Sequence, residues 1–502
     1  MIRGRLALWA AGLASLWLGA CAPLPLEATP DAVRDDIAAR LQADIDVLAS
    51  DAFGGRKPGT PGGDATSEFI ERRMGEIGLV SGTNDPGSYW RMPVDLVETQ
   101  PVSGQLKLGQ GRKMVTLTED EATVFTPRRR ALAAGGPGTG VPVVFVGYGD
   151  GSVLGDAMAG AAALMLADPG RDTERREALF RQRATVVVTV LPDAEALAAV
   201  RRRYAASRVE LASEELDTLS AYITDAALAR VLGAKRWAQW KNEASKSDFV
   251  PFELNMAVSI DAGADRREFV SQNIVGMIPG TIPGSGAVLL LGHWDHLGEC
   301  APPEAADRIC NGASDNASGI AMMLELARRL KEGPPPGRDI YVLATSSEEA
   351  GLLGARAFVK APPVPLGSIV AAFNFDMMAL APEGSPVGFI GRGHSPALDA
   401  AILGVMARRG RVTGDQALAD SFLQRQDGWA LHQAGVPSVL LSATYGSRAV
   451  LEPFLQSRYH RAGDEADQIE LGGAVEDLLL HEVLIRELAD PERYPSGTGA
   501  QP

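Results

Sequence analysis

The 502-residue chain predicts an α/β fold: a mixed, mostly parallel sheet with helices on both faces, carrying a small inserted α/β domain. Three observations carry this. From residue 267 onward, short apolar runs alternate with amphipathic helical stretches, as strands buried on both faces do. The break "AAGGPGTGVP" (133–142) opens a separate series of apolar runs that ends near residue 255. The length allows more than one core, and two to three domains is the expectation it sets.

The N-terminal stretch "MIRGRLALWAAGLASLWLGAC" (1–21) places Arg3 and Arg5 ahead of an apolar run, with small residues before Cys21. That is the layout of an export signal, and the run is short for a membrane span. Leu18-Gly19-Ala20-Cys21 resembles a bacterial lipobox, whose cysteine is lipidated and becomes the mature N-terminus. A plain signal peptide or a short anchor is the alternative. Lipid on Cys21 would hold the protein at the periplasmic face of a membrane, and Ala22, where a retention Asp would sit, favours the outer one. Residues 22–30 read as a tether.

"TPDAVRDDIAARLQADIDVLAS" (29–50) predicts a helix with Thr29 as cap, Pro30 in the first turn, and Val33, Ile37, Leu41, Ile45 and Leu48 on one face. A Gly/Pro-rich loop, "DAFGGRKPGTPGG" (51–63), precedes a second helix through Phe69, Ile70, Met74 and Ile77 that stops at Gly78. Residues 103–125 alternate apolar and polar positions, the pattern of a small antiparallel sheet. The inserted module supplies strands at 143–149, 161–170 and 184–190, and it carries no histidine and no acidic cluster with metal spacing. Further strands are expected at 273–278, 287–292, 339–345, 368–375 and 436–443, with a helix over 318–331.

Composition narrows the function. A formal charge of −15 argues against nucleic acid as a partner, because phosphate binding needs a basic surface. Hydrophobic content of 46% and charged content of 22% are those of an ordinary globular protein. With Cys21 lipidated, Cys300 and Cys310 remain, and export to an oxidising compartment predicts a disulfide between them. The alternative, thiolate zinc ligands, usually shows C-x-x-C pairs, which this chain lacks.

In open α/β sheets ligands collect at the carboxyl ends of strands. There lie His293 and Asp295 in "GHWDHLG", Asp315 before the helix, Glu348 and Glu349 after "YVLATSS", Asp376 after "AAFNF", and His460 in a loop near the end. Singly each has a plain reading: Asp315 caps a helix, paired glutamates are solvated, and a lone His is structural. Asp376, flanked by Phe373, Phe375 and Met377, needs a partner or a cation. Together, two His and three carboxylates make five ligand groups, enough for two zinc ions with one bridging carboxylate, and one glutamate is left free. That inventory matches a hydrolase with two ions ~3.5–4 Å apart.

With these motifs in hand, residues 267–470 resemble the catalytic domain of the M28 family of zinc peptidases, which includes bacterial leucyl-type aminopeptidases and glutamate carboxypeptidase relatives. The matching stretches, in the family's order, are "GHWDHLG", "NGASDNASG", "SSEEAGLLGA", "NFDMM" and "YHRAGDEADQIE"; "LASDAFGGRKPGTPGG" and "SQNIVGMIPG" resemble its earlier signatures. The resemblance divides the chain into an N-terminal part of the catalytic domain (31–125), a shortened protease-associated-like insert (126–255), the zinc peptidase domain proper (256–490) and a tail (491–502). It implies that His293 and Asp376 hold one zinc, that Glu349 and His460 hold the other, and that Asp315 bridges them. Glu348 would be the general base and Asp295 would accept a hydrogen bond from His293 and orient it. Tyr459 would donate to the oxyanion, while His296, His394, His432 and His481 stay structural. The chain departs from the family where Gln426-Asp427-Gly428 replaces Ser-Asp-His, which puts a substrate-facing loop in question. The implied activity is removal of N-terminal residues from peptides. Three alternatives stand beside it: a carboxypeptidase using Arg425, Arg448 or Arg458 for the terminal carboxylate, a single-zinc glutaminyl cyclase, and a non-catalytic binder on the same scaffold.

Overall fold

The computed structural model describes residues 26–495 apart from 86, 88, 111–112, 128–129, 133–140, 151–157 and 216–217. The export signal, the lipobox and the tail from 496 therefore lie outside the described residues. Among the described residues no helix is long and apolar enough to cross a membrane.

One sheet runs through both halves of the molecule. In the second half of the sequence its order is Gly388–Ile390, Ser438–Ser442, Ile369–Asn374, Ala287–His293, Asp339–Thr345, then the far end of Phe252–Ile278. The middle four of these are mutually parallel, and the two outer members pair antiparallel. The Ala287–His293 strand alternates its side chains between two cores. Val288 and Leu290 join Phe373, Val342 and Met323 beneath the helices Asp31–Leu48, Ser318–Glu332 and Gly472–Leu488. Leu289 and Leu291 join Leu343, Phe358 and Leu431 on the face covered by Leu353–Lys360 and Gly428–Gln433. Each such side chain taken from water contributes about 1.5–3 kcal/mol.

Two strands are much longer than their sequence pattern suggests. Arg91–Gln110 and Phe252–Ile278 pair antiparallel from Ile274↔Arg91 to Ala257↔Gly109, with a register shift between Gly263 and Ala264. In the middle of this two-stranded ribbon residues 263–270 are exposed or half-buried, while Leu96 and Val97 on the paired strand are buried, Leu96 in a small cluster with Val94, Leu211 and Leu353. The sequence pattern therefore marks these strands only at their ends, by alternation at 103–125 and by a buried apolar run at 273–278.

Beyond the ribbon, Val141–Gly147, Ala162–Leu166, Val186–Leu191 and Ser220–Thr224 run parallel, closed by antiparallel Ala122–Phe125. Their core includes Phe145, Leu164, Val188 and Trp237, and it also takes Leu106, Leu108 and Val124 on one side and Leu254 and Val258 on the other. It thus reaches past 126–255 at both ends. The first helix begins at Asp31 with Pro30 as an uncapped N-cap at ψ 143. Thr29, expected as the cap, instead accepts a 3.5 Å hydrogen bond from Arg409.

Candidate metal centre

Three adjacent strands deliver four of the polar groups side by side. His293 ends its strand, Glu348 and Glu349 follow Thr345 on one side, and Asp376 follows Asn374 on the other. Three residues near these groups hold left-handed backbone without being glycine: Ser347 (φ 57), Met377 (φ 51) and His460 (φ 58). Such strain persists only where surrounding contacts impose it, and it gathers at functional sites.

Asp315 arrives from a loop rather than a strand, and other residues fix it. The buried Asp464 carboxylate accepts from the backbone N–H of Ser314 and of Asp315, each at 3.0 Å. Arg56, also buried, donates to the carbonyls of Trp294 (2.9 Å), Gly312 (2.9 Å), Asn311 and Asp315. Asn316 ties the loop to two strand ends, donating to the carbonyls of His293 and Phe375 and accepting from Met377 N–H.

The resulting cluster has a spacing of its own. His293 Nε2 lies 3.3 Å from Asp315 Oδ1 and 3.5 Å from Asp376 Oδ1. His460 Nε2 lies 3.4 Å from Asp315 Oδ2 and 3.0 Å from Glu349 Oε2. The two oxygens of Asp315 therefore face two different histidines. Hydrogen bonds of this kind centre near ~2.9 Å, whereas two ligand atoms ~2.1 Å from one tetrahedral ion lie ~3.4 Å apart. Three of the four separations match the second value. Asp376 Oδ1, His460 Nε2 and His296 Nε2 are buried without a hydrogen-bond partner, as atoms reserved for a cation would be. The donor set of imidazole nitrogens and carboxylate oxygens suits zinc.

Residues 273–479 match the model of Peptidase family M28. The chain carries an M28 peptidase domain. Over 231 residues it is 29% identical to the probable lipoprotein aminopeptidase LpqL of Mycobacterium tuberculosis, covering 41% of this chain and 43% of that protein. Over 90 residues it is 37% identical to aminopeptidase YwaD of Bacillus subtilis, 18% of this chain and 17% of that one. The chain thus spans less than half the length of these curated relatives. The fold resembles the solved aminopeptidase from Aneurinibacillus sp. strain AM-1 at a TM-score of 0.53 and 17% identity, covering 89% of this chain and 93% of that one.

Within the M28 domain, the electrostatics are those of crowded carboxylates short of counter-charge. Burial pushes Glu348 well above the usual carboxylate range; His293 opposes this, while Asp427, Glu349 and Asp376 reinforce it. Burial also raises Asp376, against the pull of the neighbouring His293 imidazole. Asp315 goes the other way: despite burial, His293 and His460 hold it low. Burial would depress His460, yet Asp315 and Glu349 lift it to about 10. A dication held between these groups would supply the positive charge that the carboxylates lack.

Two expectations change. Asp295 does not orient His293 through its carboxylate, whose Oδ1 is 3.9 Å from Nδ1. His293 Nδ1 instead lies 3.1 Å from the Asp295 backbone carbonyl, and the Asp295 carboxylate accepts from the N–H groups of Glu348 (3.0 Å) and Glu349 (3.4 Å). A short loop between residues 293 and 295 favours this local contact, leaving the carboxylate for the neighbouring strand end. His296, read as structural, lies in the cluster: its Nδ1 is 2.7 Å from Glu349 Oε1, and with Asp315 and Glu349 it offers ligand atoms all within 4.8 Å.

The remaining residues fall around the centre or away from it. Tyr459 stacks on His460 at 3.8 Å and accepts from Arg425 at 3.4 Å. Arg448 pairs with Asp415 and Glu452, and Arg458 donates to the Gln468 carbonyl, so of the three arginines Arg425 alone reaches a residue stacked on the cluster. His394 and His432 pack on each other, and buried His481 packs on Phe375. Cys300 and Cys310 form a disulfide, with a Cα–Cα distance of 5.8 Å. Sequence reading missed Arg56, Asn316 and Asp464 as supports. They act on the backbone of residues up to 259 positions away, and the one available signal was their place inside "DAFGGR", "SDNAS" and "AGDEA".

Proposed function

We propose that the chain is a metal-dependent exopeptidase, an aminopeptidase that hydrolyses N-terminal residues from peptides with two zinc ions. The observation that carries this is the division of Asp315, one oxygen facing His293 and the other facing His460, at ligand-to-ligand spacing. His293 and Asp376 would hold one ion, Glu349 and His460 the other, and Asp315 both. His296 lies at hydrogen-bond distance from Glu349 and serves as its orienting partner. Bound there, the pair would polarise the scissile carbonyl and lower the pKa of water.

The chain's own groups do the rest. Glu348 takes a proton from the attacking water and hands it to the leaving amine; its raised affinity for protons suits both halves of that transfer. His293 donates Nδ1–H to the Asp295 carbonyl, which turns the Nε2 lone pair toward the carboxylates. Asp295 fixes the Glu348–Glu349 backbone and so aims both glutamates. Tyr459 is placed beside His460 to donate to the developing oxyanion.

A panel of aminoacyl anilides, N-blocked peptides and free peptides, run with metal analysis, tests the reading. Free N-termini should be required, and Glu348→Gln should lower kcat by about 10²–10⁴-fold with metal content unchanged. Cleavage of N-blocked peptides from the carboxyl end would point to the carboxypeptidase. Cyclisation of N-terminal Gln with one zinc per chain would point to the cyclase. We further propose export and lipidation at Cys21, in line with the relative described as a lipoprotein aminopeptidase. Cys21→Ser should abolish incorporation of a labelled fatty acid.

A further inference from the structure

The centre opens into a cavity of about 1170 Å³ whose lining runs from Asp295, His296 and Glu349 across to Phe125, Tyr204 and Tyr222 in the other half of the sheet. Small-ligand sites are typically ~300–1,000 Å³, so the space suits a peptide better than one amino acid. The far wall is an aromatic platform: Phe125 stacks on Tyr204 at 4.2 Å, and the Tyr204 and Tyr222 hydroxyls are 3.1 Å apart. Arg176 lies over Tyr222 at 4.6 Å and Arg208 over Tyr204 at 4.1 Å, with exposed Arg203 lining the same wall.

These arginines stand apart from the rest of the cavity. Glu98 is paired with Arg267, Glu214 with Arg356 and Lys360, and Asp172 with Arg175. Glu177 pairs with Arg181 at 3.6 Å, and Glu210 is left exposed. Arg176, Arg203 and Arg208 form no ion pair with a described residue, and Arg176 Nη1 is buried with no partner. In a chain of net charge −15 such a group of unpaired guanidinium ions is a local reversal of sign. Arg176 donates Nη2 to Thr189 Oγ1 at 3.1 Å and keeps Nη1 unpartnered, and a guanidinium laid on a ring presents its remaining edge donors to a carboxylate.

We propose that this wall binds a carboxylate of the peptide substrate on the side of the cleft away from the metals, making the enzyme selective for anionic peptides several residues long. The direction of the peptide rests on the aminopeptidase reading; the carboxylate site does not. Its source is either an acidic side chain or the C-terminus of a short peptide.

The test is binding of fluorescently labelled hexapeptides to zinc-loaded Glu348→Gln protein, read by anisotropy, with kcat/KM of the wild type measured in parallel. Peptides carrying Glu in their last four positions should bind at least about tenfold tighter than their Gln counterparts. Arg176→Gln combined with Arg203→Gln should bring that ratio to about one, and exposed Arg203→Glu should shift the preference toward Lys peptides. Arg203→Lys should keep most of the ratio, which a merely structural role would not require. If C-terminal amidation alone removes the preference, the source is the terminal carboxylate; if amidated Glu peptides keep it, the source is the side chain. A wild-type ratio within about twofold of one, or a ratio that survives both arginine substitutions, overturns the proposal. Acid-selective binding without hydrolysis of any peptide by the wild type would uphold the wall and sink the aminopeptidase.

Discussion

Asp315 shows how a single residue depends on distant ones. Its carboxylate can face two histidines only because Asp464, Arg56 and Asn316 hold the backbone on either side of it. Arg56→Met would leave buried carbonyls without donors, at about 1–3 kcal/mol for each unsatisfied group. We expect a loss of at least about 3 kcal/mol in chemical denaturation, with weaker zinc retention. Legibility followed the same line. His293, Glu348, Glu349 and Asp376 stand directly after apolar runs, so local pattern revealed them. Arg56 and Asp464 act through main-chain atoms far along the sequence, and no periodicity reports that. Asp295 was found in the right place with the wrong partner, because residue type does not tell a carboxylate contact from a carbonyl contact.

His481 gives a second test at this scale. The unfolded residue takes a proton near pH ~6.5, the folded one near about 4, because burial disfavours its charge. Between these values the unfolded state binds more protons, so stability present at neutral pH is lost as the pH falls, up to about 3 kcal/mol. Asp477, raised by burial to about 6, titrates nearby with the opposite sign. Comparison with His481→Leu cancels that contribution. The melting temperature of His481→Leu should fall less than that of the wild type between pH 7 and pH 4, and parallel curves would refute the assignment.

Among the elements, the short hairpin of Gly298–Glu299 and Ile309–Cys310 does more than its length suggests. Its disulfide closes the loop, and the 51–56 turn packs against it at Gly55. Gly55 has φ +66, and a Cβ there would lie 2.6 Å from the Cys310 carbonyl oxygen. Gly55→Ala should therefore lower stability by about 1–3 kcal/mol, visible as a shifted denaturation midpoint. Cutting the disulfide by Cys300→Ser with Cys310→Ser frees a loop of sequence separation 10 and should lower stability by about 3 kcal/mol. The helices and parallel strands were readable because their apolar period is local. The ribbon strands were not, since residues 263–270 present no alternating buried face and their pairing partners lie far away in the chain.

For the whole molecule, the two large cores meet through the Arg91–Gln110 and Phe252–Ile278 ribbon. We expect them to unfold separately in calorimetry, and a chelator should lower the transition of the metal-bearing core while leaving the other in place. One transition that moves as a unit would show the ribbon to be a rigid coupling. The cleft between the halves is also where sequence reading stopped, because Arg176 and Arg203 come to line one cavity with Glu349 only once the sheet is assembled. The central claim is that Asp315 is shared by two ions. Metal content of the purified chain and of Asp315→Asn, measured by inductively coupled plasma mass spectrometry, tests it most directly. Two zinc equivalents per wild-type chain are expected, with loss of both in Asp315→Asn; one equivalent, undiminished by Asp315→Asn, would refute a shared carboxylate.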